Sequence, residues 1–387
     1  MLTIIAICSL LLPTGCTPPA EETEKLVVTP EEEKPKIVEE EKPKVVEEEK
    51  PKVVEEEKPK VVEEEKPKVV EEEKPKVVEE EKPKVIEEGP AVELALKFTP
   101  QDSTKYKYIT EAVRKIDWEG LYPNDTAFKG GQTSSRIEMT FTRQIQSTDD
   151  EGNAVAKITI DSLKHLSIVR DSPVLDFDSS REKDKDNPMA KLIGQSYTIE
   201  ITPEGRVTNI ADVNQIQQAV MGASQANKAA VALLSREAIE QRHAIPAMPA
   251  ADKNKLQKGQ SWKSVKTFSF GLMGTQSYER TYTLKDVEQT GNRRTAVVEM
   301  KAAPTTEMAE ELHKEKQIGD FSKMFENTET YTGQLKLDLT AGKVEKYTEK
   351  MESEWIAVDP SAIDKNEKEP AVLKMTAIRL HQLEKTD

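Results

Sequence analysis

Apolar and polar residues alternate along several long stretches of this chain. In residues 133–147 every second position of one run is apolar: Ile137, Met139 and Phe141. Charged or hydroxyl-bearing side chains, including Arg136, occupy the positions between them. A period of two is typical of a strand with one buried and one wet face. The acidic turn 149–153 then predicts a hairpin with a second alternating strand.

Three further segments carry the same pattern on both sides of a turn. They are residues 196–210 around Pro203-Glu204-Gly205, residues 278–300 around Thr290-Gly291-Asn292, and residues 331–347 around Ala341-Gly342. Turn residues between two alternating runs predict antiparallel hairpins. The short strings ITPEGRV and LTAGKV resemble each other. Both halves of the chain after residue 90 have the predicted order hairpin, short helix, hairpin. We therefore expect a pseudo-repeat, built either as one long curved sheet or as two related sheets.

A few helices are predicted between the strands. Pro188 opens a short one that ends near Gly194, in agreement with the preference for Pro at helix starts and Gly at helix ends. Asp212 is the expected N-cap of a second. The Ala-rich residues 225–243 predict a third, and residues 305–317 a fourth. Long strands with inserted helices indicate an α+β architecture.

The eight-residue unit EEEKPKVV dominates the first quarter of the chain and repeats seven times between Glu31 and Ile86. A proline in every unit prevents a continuous helix, and the valines are too few to build a core. We predict a disordered, charged stalk over residues 31–90. Residues 17–90 would span about 230 Å as a polyproline-II rod and about 50 Å as a flexible coil.

An apolar run, residues 4–12, precedes this tract and ends close to Thr14-Gly15-Cys16. The run is too short to span a bilayer but suits a signal peptide. The small residues before Cys16 resemble the lipobox of bacterial lipoproteins. This resemblance implies removal of residues 1–15, lipidation of Cys16 and a lipidated N-terminus over residues 16–30. Thr17 in place of Asp implies an outer-membrane location.

Charge and cysteine usage agree with an envelope protein. Residues 17–90 carry 26 Glu against 15 Lys and so hold −11 of the net charge of −15. Neither the stalk nor residues 91–387 show the basic stripe that nucleic-acid binding requires. Residues 91–387 contain no cysteine, which excludes disulfides and thiol catalysis there. This β-rich region has possible halves at 91–250 and 251–387.

The sequence contains no motif that names a reaction or a cofactor. Metal-binding histidine spacing, a phosphate loop and a nucleophile elbow do not occur. An acidic loop is the candidate for a calcium site, through Asp176, Asp178, Asp184 and Asp186. Aromatic residues are the candidate contacts for a ligand or partner: Trp118, Tyr122, Phe128 and Trp262.

Two resemblances bear on the β-rich region. Gly194-Gln195-Ser196-Tyr197 before TIEITPEGRV, together with residues 258–262 (KGQSW), resembles β-rich secreted bacterial lipoproteins of a domain-of-unknown-function family. A looser likeness in fold is to the half-barrel of LolA-type lipoprotein carriers. There a curved antiparallel sheet closes over helices and holds acyl chains, although a shared fold does not imply a shared function.

We therefore expect a lipid-anchored envelope lipoprotein that displays a binding or structural domain on a long spacer, without catalytic residues. Its predicted partners are the membrane, through the N-terminal lipid, and an envelope protein or hydrophobic ligand. The first alternative is a carrier or sensor of a hydrophobic ligand. The second is a hydrolase of envelope polymers that uses paired carboxylates.

Overall fold

The computed structural model describes residues 90–120, 129–270, 274–306, 326–358 and 371–386. All of these residues belong to one compact unit. The predicted signal peptide, the lipidated N-terminus and the repeat stalk up to residue 89 lie outside the described residues. So do Tyr122 and Phe128.

Strands make up most of the described chain. They are β1 Val92–Glu93, β2 Ser103–Glu119, β3 Gly131–Thr148, β4 Ala154–Val169, β5 Ser172–Asp178, β6 Ser196–Ile201, β7 Val207–Ala211, β8 Lys255–Leu256, β9 Ser261–Ser269, β10 Thr275–Thr290, β11 Arg293–Thr305, β12 Glu326–Asp338, β13 Lys343–Val358 and β14 Val372–Lys385. Three short α-helices separate β7 from β8: α1 Val213–Val220, α2 Gln225–Leu233 and α3 Arg236–His243.

One antiparallel sheet contains all strands except β1 and β8, which pair with each other. Its strand order is β7-β6-β4-β3-β2-β14-β13-β12-β11-β10-β9, and β5 pairs with β4 outside this path. The last strand in sequence, β14, therefore lies in the middle of the sheet between β13 and β2. Residues before and after position 250 form two blocks of this single sheet, joined where β14 pairs with β2.

The predicted hairpins are confirmed, because alternation and turn chemistry are local signals that tertiary packing did not override. Residues 133–147 lie within β3, and the side chain of Asp149 caps the next turn by accepting from the backbone amides of Glu151 and Asn153. The segments 196–210, 278–300 and 331–347 form the pairs β6–β7, β10–β11 and β12–β13. Of the two predicted alternatives, a single sheet is correct.

The helix predictions need three corrections. Residues 225–243 form two helices, because the hydroxyl of Ser235 accepts from the amide of Ala238 and starts α3. Asp212 precedes α1 but does not cap it, since its backbone is left-handed and its carboxylate accepts from Thr198. Residue 305 still belongs to β11, so the fourth helix cannot start there, and the remainder of that prediction falls on residues outside the described ranges. The turn at Pro188–Leu192 is a 3₁₀-helix.

A segment that we call the strap, residues 92–98, shows that the sheet is curved. The Leu96 amide donates to Pro203 O in the β6–β7 turn at 2.8 Å, and the next amide, Lys97, donates to Gly342 O in the β12–β13 turn at 3.0 Å. In a flat sheet six strand spacings would hold these turns about 29 Å apart. Neighbouring residues of one extended segment can reach acceptors only about 10 Å apart. The sheet must therefore bend until the two turns meet.

A second set of contacts shows that edge strand β9 also folds inward. Lys266 on β9 lies 3.4 Å from the carboxylate of Glu349 on β13, four strands away in the sheet order. Arg379 on β14 donates to Ser269 O on β9 at 2.7 Å. The block β9–β14 is thus curled so that β9 approaches β13 and β14, and its inward side chains pack against one another. One continuous hydrophobic core runs through both blocks and includes the strap residues Leu94 and Leu96.

Candidate functional site

The two predicted aromatic contacts within the described residues, Trp118 and Trp262, lie on different strands. Trp118 lies half-buried on β2 opposite Leu373, whereas Trp262 lies on β9, six positions away in the sheet. The Trp262 ring stacks on Tyr282 with ring centroids 5.7 Å apart. Both tryptophans pack against the hydrophobic core. These contacts give the described aromatic candidates a packing role.

An arginine crosses the acidic loop that the sequence suggested for calcium. The guanidinium of Arg181 contacts Asp176 at 2.9 Å and Asp184 at 2.6 Å. Asp178 accepts instead from Ser180 and Lys164, and these hydrogen bonds lower its pKa to about 2. Within the described ranges, no group of three or more His, Cys, Asp or Glu side chains is arranged to hold a metal ion. The structure therefore gives the calcium interpretation no support.

Two buried charged clusters form the most unusual chemistry of the described residues, and the sequence predicted neither. The first surrounds Glu349, which points inward from β13 and is 5% exposed. Its carboxylate contacts Arg280 Nη1 at 3.0 Å and Lys266 Nζ at 3.4 Å. Three tyrosine hydroxyls complete the shell: Tyr282 at 3.4 Å, Tyr331 at 2.9 Å and Tyr347.

This cluster keeps Glu349 ionised. Burial alone would raise the pKa of the carboxyl, but the attraction of Lys266 and Arg280 and the hydrogen bond from Tyr347 outweigh burial. The pKa of Glu349 therefore lies well below its usual 4.5. A carboxylate fully engaged by two cations and three hydroxyls is a poor general base, because its proton affinity is low and its lone pairs are occupied. Its role is structural: it links β9, β10, β12 and β13 across the curl.

The second cluster lies under the helices and centres on Tyr197 of β6. Arg242 of α3 donates from Nη1 to Tyr197 OH at 2.8 Å and from Nη2 to Leu233 O at 2.7 Å. His243 Nε2 lies 2.7 Å from the same hydroxyl. Because Arg242 can only donate, the Tyr197 oxygen accepts from it, and the hydroxyl proton remains available to Nε2 of a neutral imidazole. Burial, reinforced by Arg143 and Arg242, holds the pKa of His243 well below 6.5.

Arg143 of β3 adds a second buried guanidinium near this cluster. Its side chain is 5% exposed and lies over the Tyr106 ring, with 4.9 Å from Cζ to the ring centroid. Its Nε and Nη2 find no hydrogen-bond partner in the structure. A signal for this residue was present in the sequence: Arg143 has the same parity as Met139 and Phe141, and so falls on the apolar face of its strand. Glu349 carries the same signal between Tyr347 and Met351.

Two concave features among the described residues differ in size and lining. One is a small, partly open cavity of about 20 Å³ beside Arg143, between the strap and the β12–β13 turn. The other is an open depression of about 590 Å³ alongside β4, β6 and α1. Amide, hydroxyl and charged side chains dominate the lining of the depression: Gln146, Lys157, Gln195, Ser196, Thr198, Asp212 and Gln215. It is suited to a polar ligand or partner rather than to an acyl chain.

Residues 151–344 match a family of unknown function (DUF6263), and the chain belongs to this family. This agrees with the resemblance seen in the sequence to a domain-of-unknown-function family. No curated protein matches the chain. In the part of the chain that the structure describes, no helix is long and apolar enough to cross a membrane.

Proposed function

We propose that this chain is a lipid-anchored envelope lipoprotein whose β-rich domain is displayed on a charged spacer and binds a polar partner. One observation carries the proposal: the apolar run before Thr14-Gly15-Cys16 leads directly into a proline-punctuated, charged repeat. Two or three acyl chains on one cysteine would anchor the protein stably, whereas one chain would not. The repeat resists folding and therefore serves as a spacer.

The filled interior favours binding over carriage of a hydrophobic ligand. A carrier in the manner of LolA-type proteins needs an apolar groove, and pockets for such ligands typically measure about 300–1,000 Å³. The partly open cavity beside Arg143 has only about 20 Å³. The inside of the β9–β14 curl holds aromatic rings and the Glu349 cluster rather than empty space. Curvature of the sheet alone does not make a carrier.

The open depression alongside β4, β6 and α1 is the surface that we propose for the partner. The side chains of Gln146, Gln195 and Gln215 line it with amide groups that can donate and accept hydrogen bonds. Its one lining carboxylate, Asp212, already accepts from Thr198 at 2.8 Å. Hydrolysis of a glycan requires a pair of carboxylates at a defined separation. The lining therefore favours recognition of a polar envelope component over its cleavage.

Labelling with an alkyne-bearing palmitate analogue tests the anchor in the native bacterium. We expect the label on the wild-type chain, and we expect Cys16→Ser to lose both the label and the membrane association. Cys8→Ser is the matched control, because Cys8 lies within the predicted signal peptide and should not matter. Equal labelling of wild type and Cys16→Ser would overturn the anchor.

Photo-crosslinking tests the surface separately. A crosslinking amino acid at position 146 or 215 of the full-length protein should capture one discrete envelope component. The same amino acid at Glu288, which is exposed on β10, should not capture it. Identical capture profiles at all three positions would exclude the depression as the contact surface and would leave the anchor unaffected.

A further inference from the structure

The open depression alongside β4, β6 and α1 offers a ligand side chains rather than a free strand edge. Lys157 on β4 and Thr198 on β6 stand opposite each other in its lining. Lys157 also pairs with Gln144 on β3, and Thr198 pairs with Ala211 on β7. Both strands therefore have neighbours on each side at this point, so an extended peptide cannot join them as a further strand.

Three glutamines in this lining have unoccupied side chains. Gln146, Gln195 and Gln215 are exposed, and no group of the described residues hydrogen-bonds to their carboxamides. A carboxamide presents both N–H donors and a carbonyl acceptor. The acetamido group of an N-acetylated sugar presents one N–H and one carbonyl, so it can exchange two hydrogen bonds with a glutamine side chain.

The charge and the apolar content of the lining disfavour other classes of ligand. Among the described lining residues, Lys157 carries the single positive charge and Asp212 the single negative charge, so a strongly charged ligand gains little. The apolar members, Tyr197 and Ile216, are both buried. Protein–protein interfaces instead place aromatic, Met or Arg side chains at their centre. A neutral ligand rich in hydroxyl and amide groups fits this lining best.

The size of the depression corresponds to a short oligosaccharide. Its volume of about 590 Å³ lies within the roughly 300–1,000 Å³ of pockets that hold a drug-sized molecule. Ser196 and Thr198 supply hydroxyls beside the glutamines. The Thr198 hydroxyl donates to Asp212 at 2.8 Å, so its oxygen remains an acceptor for a sugar hydroxyl. The lining thus has partners for both kinds of polar group on an N-acetylated sugar.

We propose that the depression binds a neutral glycan whose sugars carry acetamido groups. The carboxamides of Gln146, Gln195 and Gln215 pair with the acetamido groups, and the hydroxyls of Ser196 and Thr198 pair with the sugar hydroxyls. Because the depression is open, a longer glycan chain can continue beyond it. This inference rests on the proposed function, since it names the chemistry of the polar partner for the same surface.

Saturation-transfer NMR of the full-length protein, in a detergent without sugar headgroups, tests the ligand class. The probes are tri-N-acetylchitotriose and cellotriose, which share a backbone and differ in acetamido against hydroxyl groups. The N-acetylated probe should bind at least about tenfold more tightly, which corresponds to one or two net hydrogen bonds. Its affinity should not change between low and high salt, because the ligand carries no charge. Equal affinity for the two probes, no binding of either, or a steep loss of affinity with salt would overturn the proposal.

Variants assign the binding to the depression. Gln146→Met and Gln215→Met keep the length of the side chain but remove the amide, and each should weaken binding of tri-N-acetylchitotriose about three- to tenfold. Gln289→Met is the matched control, since Gln289 is exposed on β10 and lies outside the lining. An equal Tm for all three variants shows that each one folds. Unchanged binding in both lining variants would overturn the assignment to this surface.

The failure of this inference can be told apart from the failure of the proposed function. If positions 146 and 215 crosslink one discrete envelope component and the protein binds neither trisaccharide, the surface stands and the glycan is wrong. If neither position captures a component and neither trisaccharide binds, both proposals fail.

Discussion

At the scale of single residues, the core of this protein is distinguished by charges on the inward faces of its strands. Glu349 and Arg143 both stand where the alternation calls for an apolar side chain. Glu349 is surrounded by cations and hydroxyls, whereas Arg143 has an aromatic ring and a small cavity. Substitution of Glu349 leaves its cationic partners without a counter-charge. Substitution of Arg143 instead removes a charge that lacks one.

Glu349→Gln should destabilise the domain by about 3–5 kcal/mol, because it leaves Arg280 and Lys266 buried beside a neutral amide. Denaturant unfolding measures the change. Glu352→Gln is the control on the same strand, since Glu352 faces outward and pairs with exposed Lys350. A loss for Glu349→Gln no larger than for Glu352→Gln would show that the cluster contributes nothing net.

The same carboxylate predicts an acid transition. Its pKa is lower in the folded state than the usual 4.5, so its stabilising contribution is complete above pH 4.5 and is lost as the pH falls below it. The wild type should therefore lose stability steeply below pH 4.5, and Glu349→Gln should have a shallower dependence in that range. Parallel curves for the two proteins would contradict this account.

The buried imidazole of His165 should make the stability of the protein depend on pH in a second range. Burial lowers its pKa from 6.5 to about 4, because the imidazole is enclosed beside Ser135. Between pH 6.5 and 4 the imidazole is protonated in the unfolded chain and neutral in the folded chain. The free energy of unfolding therefore falls as the pH drops from 6.5 towards 4. The loss is on the order of 3 kcal/mol over the whole window. In His165→Gln the free energy of unfolding should vary less between pH 6.5 and 4, and an unchanged slope would reject the prediction.

At the scale of elements, the strands of the four hairpins could be predicted, whereas the central strands β2 and β14 and the tertiary contacts between strands were not. Alternation around residues 133–147 and 331–347 is local information, and β3, β12 and β13 follow it. At the break between α2 and α3 the Ala238 amide donates to the Ser235 hydroxyl, and the high alanine content of the segment gave no sign of this cap. The Arg143 and Glu349 clusters unite residues that are far apart in sequence, so parity could place each side chain inside but could not name its neighbours.

Gly342 in the β12–β13 turn lies directly against the strap, so a side chain there should be costly. Its φ is +66°, and a Cβ there would lie 2.3 Å from Lys97 Cβ. Gly342→Ala should therefore lower stability by more than the roughly 1–2 kcal/mol expected for a left-handed alanine alone. Gly291→Ala is the matched control, because Gly291 has a φ of +60° with nothing within 4 Å of its Cβ position. Equal losses in Tm for both variants would mean that the strap can move away from the added methyl group without loss of stability.

At the scale of the whole molecule, the strand order explains why the family match and the folding unit differ. The match covers residues 151–344, which hold β4 to β12 entire and only the first two residues of β13. The centre of the sheet comes from outside it: β2 and β3 precede residue 151, and β14 follows residue 344. These three strands join the two blocks, through 14 register pairs between β14 and β2 alone. Sequence could not foresee this, because pairing of the first and last long strands is non-local.

A fragment limited to residues 151–344 should therefore fail to fold cooperatively. Without β2, β3, β14 and most of β13 the sheet separates into two blocks, and each exposes unpaired backbone and one side of the shared core. Glu349 is also missing, so Lys266 and Arg280 lose their counter-charge. Near-ultraviolet circular dichroism and calorimetry should show no sharp transition for this fragment, whereas residues 90–387 should melt in one. Addition of separately made residues 90–150 and 345–387 should restore the transition if the missing strands are the cause. A sharp transition in the isolated 151–344 fragment would instead show that the matched region carries its own complete core.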